Sequence, residues 1–155
     1  MLSSKVEYIL SMKIIGIAAD HAGFAQKELL KTYLQEQGVE VKDFGTYAAE
    51  SMDYPDVAHP LACAVEKGEV ETGIALCGSG QGMAMTLNKH AGIRAALCWT
   101  PTIACLARNH NNANVCVLPA RFIDNTAAIA IVQQFLTAAF EGGRHERRVE
   151  KIAKC

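Results

Sequence analysis

This 155-residue sequence lacks long apolar runs, a strong excess of charge of either sign, and abundant aromatic residues. No segment is apolar over a length that could cross a bilayer, and the formal net charge of −1 gives no electrostatic reason to expect a nucleic-acid or membrane partner. The first eleven residues contain Glu7 and no sustained apolar stretch, unlike a signal peptide. We therefore predict a cytoplasmic protein with one domain over residues 12–155, preceded by a disordered extension, residues 1–11.

Metal-binding spacings are absent as well. The six cysteines form no C-x-x-C pair, and the five histidines form no H-x-x-x-H or H-E-x-x-H motif. We therefore predict no metal ion and no cofactor. Unpaired cysteines of this kind suit a reducing, intracellular compartment, and most of them fit the pattern of small buried hydrophobes.

Acidic residues are missing from a long central segment. Between Glu71 and Asp124 the sequence contains no Asp or Glu. The charged residues of that segment are Lys89, Arg94, Arg108 and Arg121. Their combined field would favour an anionic ligand, although ordinary solvated bases explain the pattern equally well.

Apolar runs alternate with helix-like stretches along the chain. The predicted strands are residues 13–19, 39–41, 73–77, 94–98 and 115–118. The predicted helices include one with an apolar stripe from Ala25 to Leu34, a long one from Asp124 to Gly142 and a charged one at 144–154. This alternation predicts a parallel sheet covered by helices on both faces. Ligands of such sheets bind at the carboxyl ends of the strands, which selects the loops at Asp20, at Cys77 and at Trp99.

The glycine loop, residues 77–82 (Cys-Gly-Ser-Gly-Gln-Gly), is the strongest local signal. Its alternating glycines can turn the backbone so that successive amides face one anion. A dinucleotide fingerprint is excluded because no acidic residue follows at the required distance, and a P-loop is excluded because Gly-Lys-Ser/Thr is absent. A phosphatase loop would need arginine in place of Met83. An oxyanion hole beside a reactive Cys77 remains, with a thiolate favoured by the following helix; a tight turn with a buried cysteine is equally consistent.

Two further segments carry candidate site residues. Arg144 and Arg148 are four residues apart on the predicted tail helix and could clamp a phosphate, although a solvated charged helix is the commoner outcome of such a run. His110 lies among asparagines just before a predicted strand, which makes it a candidate for proton transfer.

Taken in order, the motifs of the chain resemble a known family from Met12 to the end. They are Asp20-His21-Ala22-Gly23, Asp53-Tyr54-Pro55, the glycine loop, Asn88-Lys89, Gly92-Ile93-Arg94-Ala95-Ala96, His110-Asn111, Asn114-Val115 and Glu141-Gly142-Gly143-Arg144-His145. This ordered set resembles the type B ribose-5-phosphate isomerases and their relatives that act on galactose and allose 6-phosphates.

The resemblance implies a three-layer α/β/α Rossmann-like fold around a five-stranded parallel sheet. It also implies a homodimer, or a tetramer, with active sites at the subunit interface, and the hydrophobic fraction of 50% agrees with some apolar surface being buried between subunits. The implied reaction is the interconversion of D-ribose 5-phosphate and D-ribulose 5-phosphate, a step of the pentose phosphate pathway, without a metal.

The resemblance also implies roles for individual residues. Cys77 would move the proton between sugar carbons 1 and 2, and Ser79 would serve the two sugar oxygens. His110, helped by Asp20, would open the furanose ring. The enediolate would be held by backbone amides of the loop, including Gly78, Gly80 and Gly82.

Substrate contacts follow from the same resemblance, some of them from the partner chain. Tyr54 and Asn111 would contact the sugar. The phosphate would be bound by His21, Arg144 and Arg148, with Arg121 as a weaker candidate.

The sequence departs from one branch of the family, which uses a glutamate where this chain has Met83, so Cys77 would have to act as the base. An allose- or galactose-6-phosphate isomerase remains an alternative, decided by the space around Tyr47 and Trp99. A non-catalytic sugar-phosphate-binding subunit is a second alternative, disfavoured by the presence of Cys77, Ser79 and His110 together. A nucleotide-binding module is a third, disfavoured by the missing acidic residue.

Overall fold

A computed structural model describes residues 14–154 of the chain. Residues 1–11, predicted to be a disordered extension, lie outside the described part. The elements are β1 (Ile15–Ala19), α1 (Phe24–Glu36), β2 (Val41–Asp43), α2 (Pro55–Glu66), β3 (Thr72–Cys77), α3 (Gln81–Leu87), β4 (Ala95–Leu97), α4 (Pro101–Asn111), β5 (Val115–Pro119), α5 (Asn125–Thr137), a 3₁₀ turn (Gly143–His145) and α6 (Glu146–Val149). No described helix has both the length and the apolar character that a membrane span requires.

The five strands form one parallel sheet in the order β2-β1-β3-β5-β4. Successive side chains of a strand point to opposite faces, and both faces are covered. On one face Ile74 and Leu76 of β3 pack with α1, α4 and α5, and on the other Ala75 and Cys77 pack with α2 and α3. The predicted three-layer α/β/α architecture is thereby confirmed, and Cys77 lies on the α2–α3 side.

The strand order places a topological switch point between β1 and β3. From β1 the chain moves outward to β2, whereas β3 starts the other half of the sheet on the opposite side of β1. Helices leave the two strands toward opposite faces, so a crevice opens between their carboxyl ends. Asp20 follows β1 and Cys77 ends β3, so both residues lie at this crevice.

The second strand was predicted two residues too early. Val39 is buried, but its amide donates a hydrogen bond to the Leu34 carbonyl at 3.0 Å, while the amide of Gly38 donates to Gln35 at 2.9 Å. These two bonds form a Schellman closure of α1, with Gly38 at φ +82°. Val39 therefore completes the helix end, and β2 begins at Val41.

The predicted ends of the last two helices were also wrong. Helix α5 stops at Thr137 because Ala138 is extended, with ψ 140°, and Glu141 then donates its amide to the Asn109 carbonyl at 3.0 Å. The tail forms a 3₁₀ turn and the four-residue α6 instead of one helix over residues 144–154. Because most of its side chains are exposed, the tail has little apolar surface with which packing could stabilise a longer helix.

Candidate active site

Asp20 and Cys77 are neighbours at the switch point. The Asp20 amide donates to the Leu76 carbonyl at 3.1 Å, which extends the β1–β3 pairing to the end of both strands. The Asp20 side chain is buried, and its Oδ1 accepts hydrogen bonds from Ala22 at 2.9 Å and from Gly23 at 3.1 Å. The carboxylate is therefore held in place by the first turn of the loop it begins.

The glycine loop is shaped by two close approaches. Gly80 has φ +77°, a conformation that favours glycine, and a Cβ at this position would collide with the Leu97 side chain. A Cβ at Gly82 would collide with the ring of Tyr54, which packs directly against the loop. The backbone amides of Met83, Gly80 and Gly82 consequently converge on the Cys77 sulfur.

Burial raises the pKa of the Cys77 thiol above that of an ordinary cysteine, and the negative charge of Asp20 raises it further. The hydrogen bonds from the Met83, Gly80 and Gly82 amides act in the opposite direction without overcoming the burial. The prediction that the thiolate would be favoured was therefore wrong for the single chain. Helix α3 is only seven residues long, and Cys77 is 4% exposed, so desolvation dominates.

Ser79 lies on the exposed part of the glycine loop, and Tyr54 and Arg121 contact the loop. Ser79 is exposed, and its Oγ accepts a 3.4 Å hydrogen bond from the Gln81 amide. His21 accepts a 3.3 Å bond from the Met52 amide through Nδ1, which ties the loop after β1 to the segment before Tyr54. The amide of Arg121 donates to the Gly78 carbonyl at 3.0 Å, and its guanidinium lies against the Gly78 Cα.

This placement strengthens the case for Arg121, the weaker candidate of the sequence prediction. A guanidinium beside the loop can offer bidentate hydrogen bonds to a phosphate or an oxyanion. Because Arg121 lies in the turn after β5, its position could have been anticipated from the rule that ligands gather at carboxyl ends of strands.

The remaining predicted residues lie elsewhere. Helix α4 begins after β4 at the carboxyl edge of the sheet and runs back for eleven residues to the amino edge, about 16 Å in length. His110 and Asn111 are at its last turn, and Arg144 and Arg148 are on the tail nearby. Within one chain the structure therefore does not bring these four residues to Cys77.

A histidine cluster, formed by His110, Glu141 and His145, organises this second region. The two imidazole rings are stacked, with centroids 4.3 Å apart and an interplanar angle of 11°. The Glu141 Oε2 atom lies 3.8 Å from His110 Nε2 and 3.6 Å from His145 Nε2. Desolvation lowers the pKa of His145, as do the positive fields of His110 and Arg144, while Glu141 opposes them.

Sequence reasoning missed Glu141 and His145. A pattern of two histidines four residues apart does not occur in the sequence. In the structure Glu141 and His145 have this spacing, and His110 joins them from helix α4. Asn111 lines a cavity of about 360 Å³ along the edge strand β4, whose other walls include Arg94, Ala96 and Ile152.

Fold and site together define an α/β protein with a cysteine-containing, glycine-rich loop at the switch point of a parallel sheet. Residues 15–152 match the family described as ribose/galactose isomerase, and the chain belongs to that family. The resemblance noted from the motifs is thereby confirmed.

Individual relatives agree with this assignment. Ribose-5-phosphate isomerase B of Escherichia coli is 46% identical over 141 residues, which cover 91% of this chain and 95% of the relative. A D-erythrulose-4-phosphate isomerase of Pectobacterium atrosepticum is 44% identical over 142 residues, covering 91% of this chain and 93% of the relative.

Solved structures agree as well. The ribose 5-phosphate isomerase of Thermotoga maritima superposes with a TM-score of 0.91 at 51% identity, covering 92% of this chain and 99% of that one. Ribose-5-phosphate isomerase B of Mycoplasma genitalium, solved with bound ribulose-5-phosphate, has a TM-score of 0.88 at 42% identity, with coverages of 91% and 94%.

Proposed function

We propose that this chain is an aldose–ketose isomerase that interconverts D-ribose 5-phosphate and D-ribulose 5-phosphate. The observation that carries the proposal is the Cys77 sulfur at the switch point, faced by three backbone amides of the glycine loop and its continuation. The names of the Escherichia coli and Mycoplasma genitalium relatives, and the ribulose-5-phosphate bound to the latter, support the choice of substrate.

In this proposal the Cys77 thiolate removes the proton from sugar carbon 2, and the electron pair moves toward the aldehyde oxygen to give an enediolate. The resulting thiol then returns the proton to carbon 1. Ser79 transfers a proton between the two sugar oxygens, which its exposure at the loop allows. Each well-placed amide at the oxyanion contributes roughly 3–4 kcal/mol to lowering the barrier.

The residues around the loop have binding roles. Tyr54 packs on Gly82 and would contact the sugar, while Asp20 would assist ring opening from its fixed position. His21 and Arg121 would bind the phosphate or the sugar oxygens. A phosphate contact lies away from carbons 1 and 2, so it fixes the orientation of the substrate.

The site would be completed by a second copy of the chain. His110, Asn111, Arg144 and Arg148 are near the amino edge of the sheet, whereas Cys77 is at the carboxyl edge. In a two-fold dimer each chain can present its amino-edge residues to the loop of its partner, giving two equivalent sites. We therefore propose a homodimer as the active unit, with a tetramer as a higher assembly of it.

Mixing two inactive variants tests this arrangement. Cys77→Ala and His110→Ala proteins, unfolded and refolded together, should form mixed dimers in which one site has neither substitution. Random pairing predicts recovery of about a quarter of the wild-type activity. Activity equal to the sum of the separate variants would show that His110 serves the Cys77 of its own chain.

Substrate choice has competing candidates. The name of the D-erythrulose-4-phosphate isomerase of Pectobacterium atrosepticum supports a four-carbon sugar phosphate as a candidate. The family description, which includes galactose, supports a six-carbon one. Tyr47 and Trp99, exposed by 71% and 54%, lie in loops at the carboxyl edge and would limit the length of the sugar. Initial rates with ribose 5-phosphate, allose 6-phosphate, galactose 6-phosphate and erythrulose 4-phosphate, all with EDTA present, rank these candidates.

The outcome for ribose 5-phosphate decides the proposal. The highest kcat/KM should belong to ribose 5-phosphate, and it should persist in EDTA. A higher kcat/KM for another sugar phosphate would make that compound the preferred substrate. If the chain binds these compounds but turns over none of them, it is a non-catalytic sugar-phosphate-binding subunit. A cytoplasmic location is part of the proposal, because the five described cysteines are all free and the substrate is a phosphorylated metabolite.

A further inference from the structure

The tail returns to α4 through a turn that only two consecutive glycines make easy. Gly142 and Gly143 have φ values of +64° and +55°, and the His145 amide donates to the Gly142 carbonyl at 3.0 Å. The amide of Glu141 is bound to Asn109 at 3.0 Å. The backbone thus holds the Glu141 and His145 side chains against the end of α4, where His110 lies.

Three potential ligand atoms converge at this place. His110 Nε2, His145 Nε2 and the Glu141 carboxylate oxygen lie within 4.8 Å of one another. We propose that the histidine cluster binds one divalent transition-metal ion of the zinc class, and that the ion inhibits the isomerase by occupying His110.

The distances within the cluster are close to those that a metal ion requires. Tetrahedral zinc with bonds of about 2.0–2.2 Å to nitrogen and oxygen separates its ligand atoms by roughly 3.3–3.5 Å. The two nitrogen–oxygen separations of 3.8 and 3.6 Å exceed these values by only a few tenths of an ångström, whereas both are too long for hydrogen bonds. Small side-chain movements would close the site around an ion.

The imidazole rings must also change their orientation. They are nearly parallel, at 11°, so their Nε2 lone pairs do not yet meet at one point. Rotation about the last side-chain bond of histidine is soft, and His110 is 37% exposed in its side chain, so this ring is free to tilt. Glu141 is exposed in the single chain, so its carboxylate can also move toward an ion.

The neighbouring charges set the strength of the site. Arg144 and Arg148 act on His145 with positive charge, and Glu141 is the one carboxylate of the cluster. The two arginines oppose a cation, so we expect micromolar affinity, weaker than that of structural zinc sites. This suits a reversible inhibitor site and not a permanent cofactor.

A second histidine pair in the described residues is less suited to a metal. His59 Nδ1 and His90 Nε2 are 2.8 Å apart and form a hydrogen bond, and the other nitrogen of His90 lies 3.1 Å from Glu66. Two ligands of one ion cannot approach so closely, so binding there would first break this hydrogen-bonded chain. His90 therefore provides a matched control.

Metal binding is measured without reference to catalysis. In a Cys77→Ala background, which removes the reactive thiol, Zn²⁺ titration calorimetry should give one site per chain. Glu141→Gln and His145→Ala should each weaken binding by at least the roughly 10–100-fold that the loss of a second-shell partner costs, whereas His90→Ala should have no effect. The Co²⁺-loaded protein should show d–d absorption without a sulfur charge-transfer band.

Equal Zn²⁺ affinity in the Glu141→Gln, His145→Ala and parent proteins would overturn the site, as would the absence of binding below millimolar Zn²⁺.

Only the inhibition rests on the proposed function. Zn²⁺ should inhibit the otherwise wild-type enzyme and its His90→Ala variant alike, and Glu141→Gln should raise the inhibitory concentration at least tenfold. Binding without inhibition would refute the regulatory part alone, and an inactive enzyme that still binds Zn²⁺ would refute the proposed function alone.

Discussion

The glycine loop and the histidine cluster both hold side chains assigned to the reaction, yet they are built in opposite ways. The loop begins at the end of a buried strand, its Cys77 is 4% exposed, and neighbouring side chains leave no room for a Cβ at Gly80 or Gly82. The cluster lies on the last turn of α4 and on short turns of the tail, and Glu141 is exposed.

This difference has an energetic consequence. The backbone amides of the loop are placed by the sheet before the substrate arrives, so they cost little reorganisation when charge develops on the sugar. The tail offers long, exposed side chains that lose conformational freedom only when a ligand or a partner chain orders them. The loop therefore suits the chemical step, and the tail suits recognition of the phosphate and the ring.

Cys77→Ala should have the largest effect, because Met83 carries no basic group that could replace the thiolate. We expect a loss of turnover on the order of 10⁴-fold with the fold retained, since alanine leaves a small cavity at a position packed by α2 and α3. Exchange of the carbon-2 proton with solvent is the direct measurement, and Cys63→Ala is the matched control. Wild-type exchange in Cys77→Ala would place the base elsewhere.

His110→Ala should slow turnover of ribose 5-phosphate on the order of 10²-fold through loss of a general acid–base group. Ribulose 5-phosphate should suffer less, because it cannot close into a furanose through its phosphorylated carbon. The kcat at saturating substrate in each direction tests this difference, because the equilibrium constant fixes the ratio of the two kcat/KM values; His59→Ala is a surface control. Equal fractional losses for both substrates would reduce His110 to a positioning role.

Arg144→Ala and Arg148→Ala should raise KM while changing kcat little, since a phosphate contact is remote from the proton that moves. The expected loss is about 1–3 kcal/mol in binding for each. Arg147→Ala is a matched control, because Arg147 is equally exposed on α6 and has no assigned contact. A KM in Arg148→Ala that equals that of Arg147→Ala would leave the tail without a phosphate site.

The change of kcat/KM with pH should be the smallest of these effects for each unit of pH. Burial and Asp20 raise the Cys77 pKa, and the thiolate is the reactive form, so kcat/KM should rise with pH through the alkaline range by at most about tenfold per unit. Asp20→Asn removes a negative charge and should move the midpoint of the profile to lower pH. A profile that falls above neutral pH would contradict a buried thiol as the base.

Particular elements show how far the sequence could be interpreted. The strand ending at Cys77, the glycine loop and the helix start at Asp124 were predicted correctly, because short apolar runs and capping residues act over a few positions. Asp124 accepts a hydrogen bond from the Ala127 amide at 2.7 Å, as a capping residue does. The extent of the tail helix was wrong because helix length depends on packing that the local pattern does not contain.

Helix α1 gives the clearest case of a tertiary decision. Its predicted apolar stripe began at Ala25, which is exposed, while the neighbouring Lys27 is completely buried. The Lys27 ammonium lies 2.6 Å from Asp43 and 2.7 Å from Glu28, so its charge is compensated inside the protein. No helical periodicity predicts this burial, because Asp43 belongs to β2.

The sequence by itself determined the alternation of strands and helices, the position of the glycine loop and the family. Only the tertiary structure decided that Cys77 has a raised pKa, that Arg121 lies against Gly78, and that His110, Glu141 and His145 meet in one cluster. The physical reason is range. Secondary structure follows from interactions within a few residues, whereas desolvation and side-chain clusters depend on segments that are distant in sequence and become neighbours only when the sheet and its helices pack.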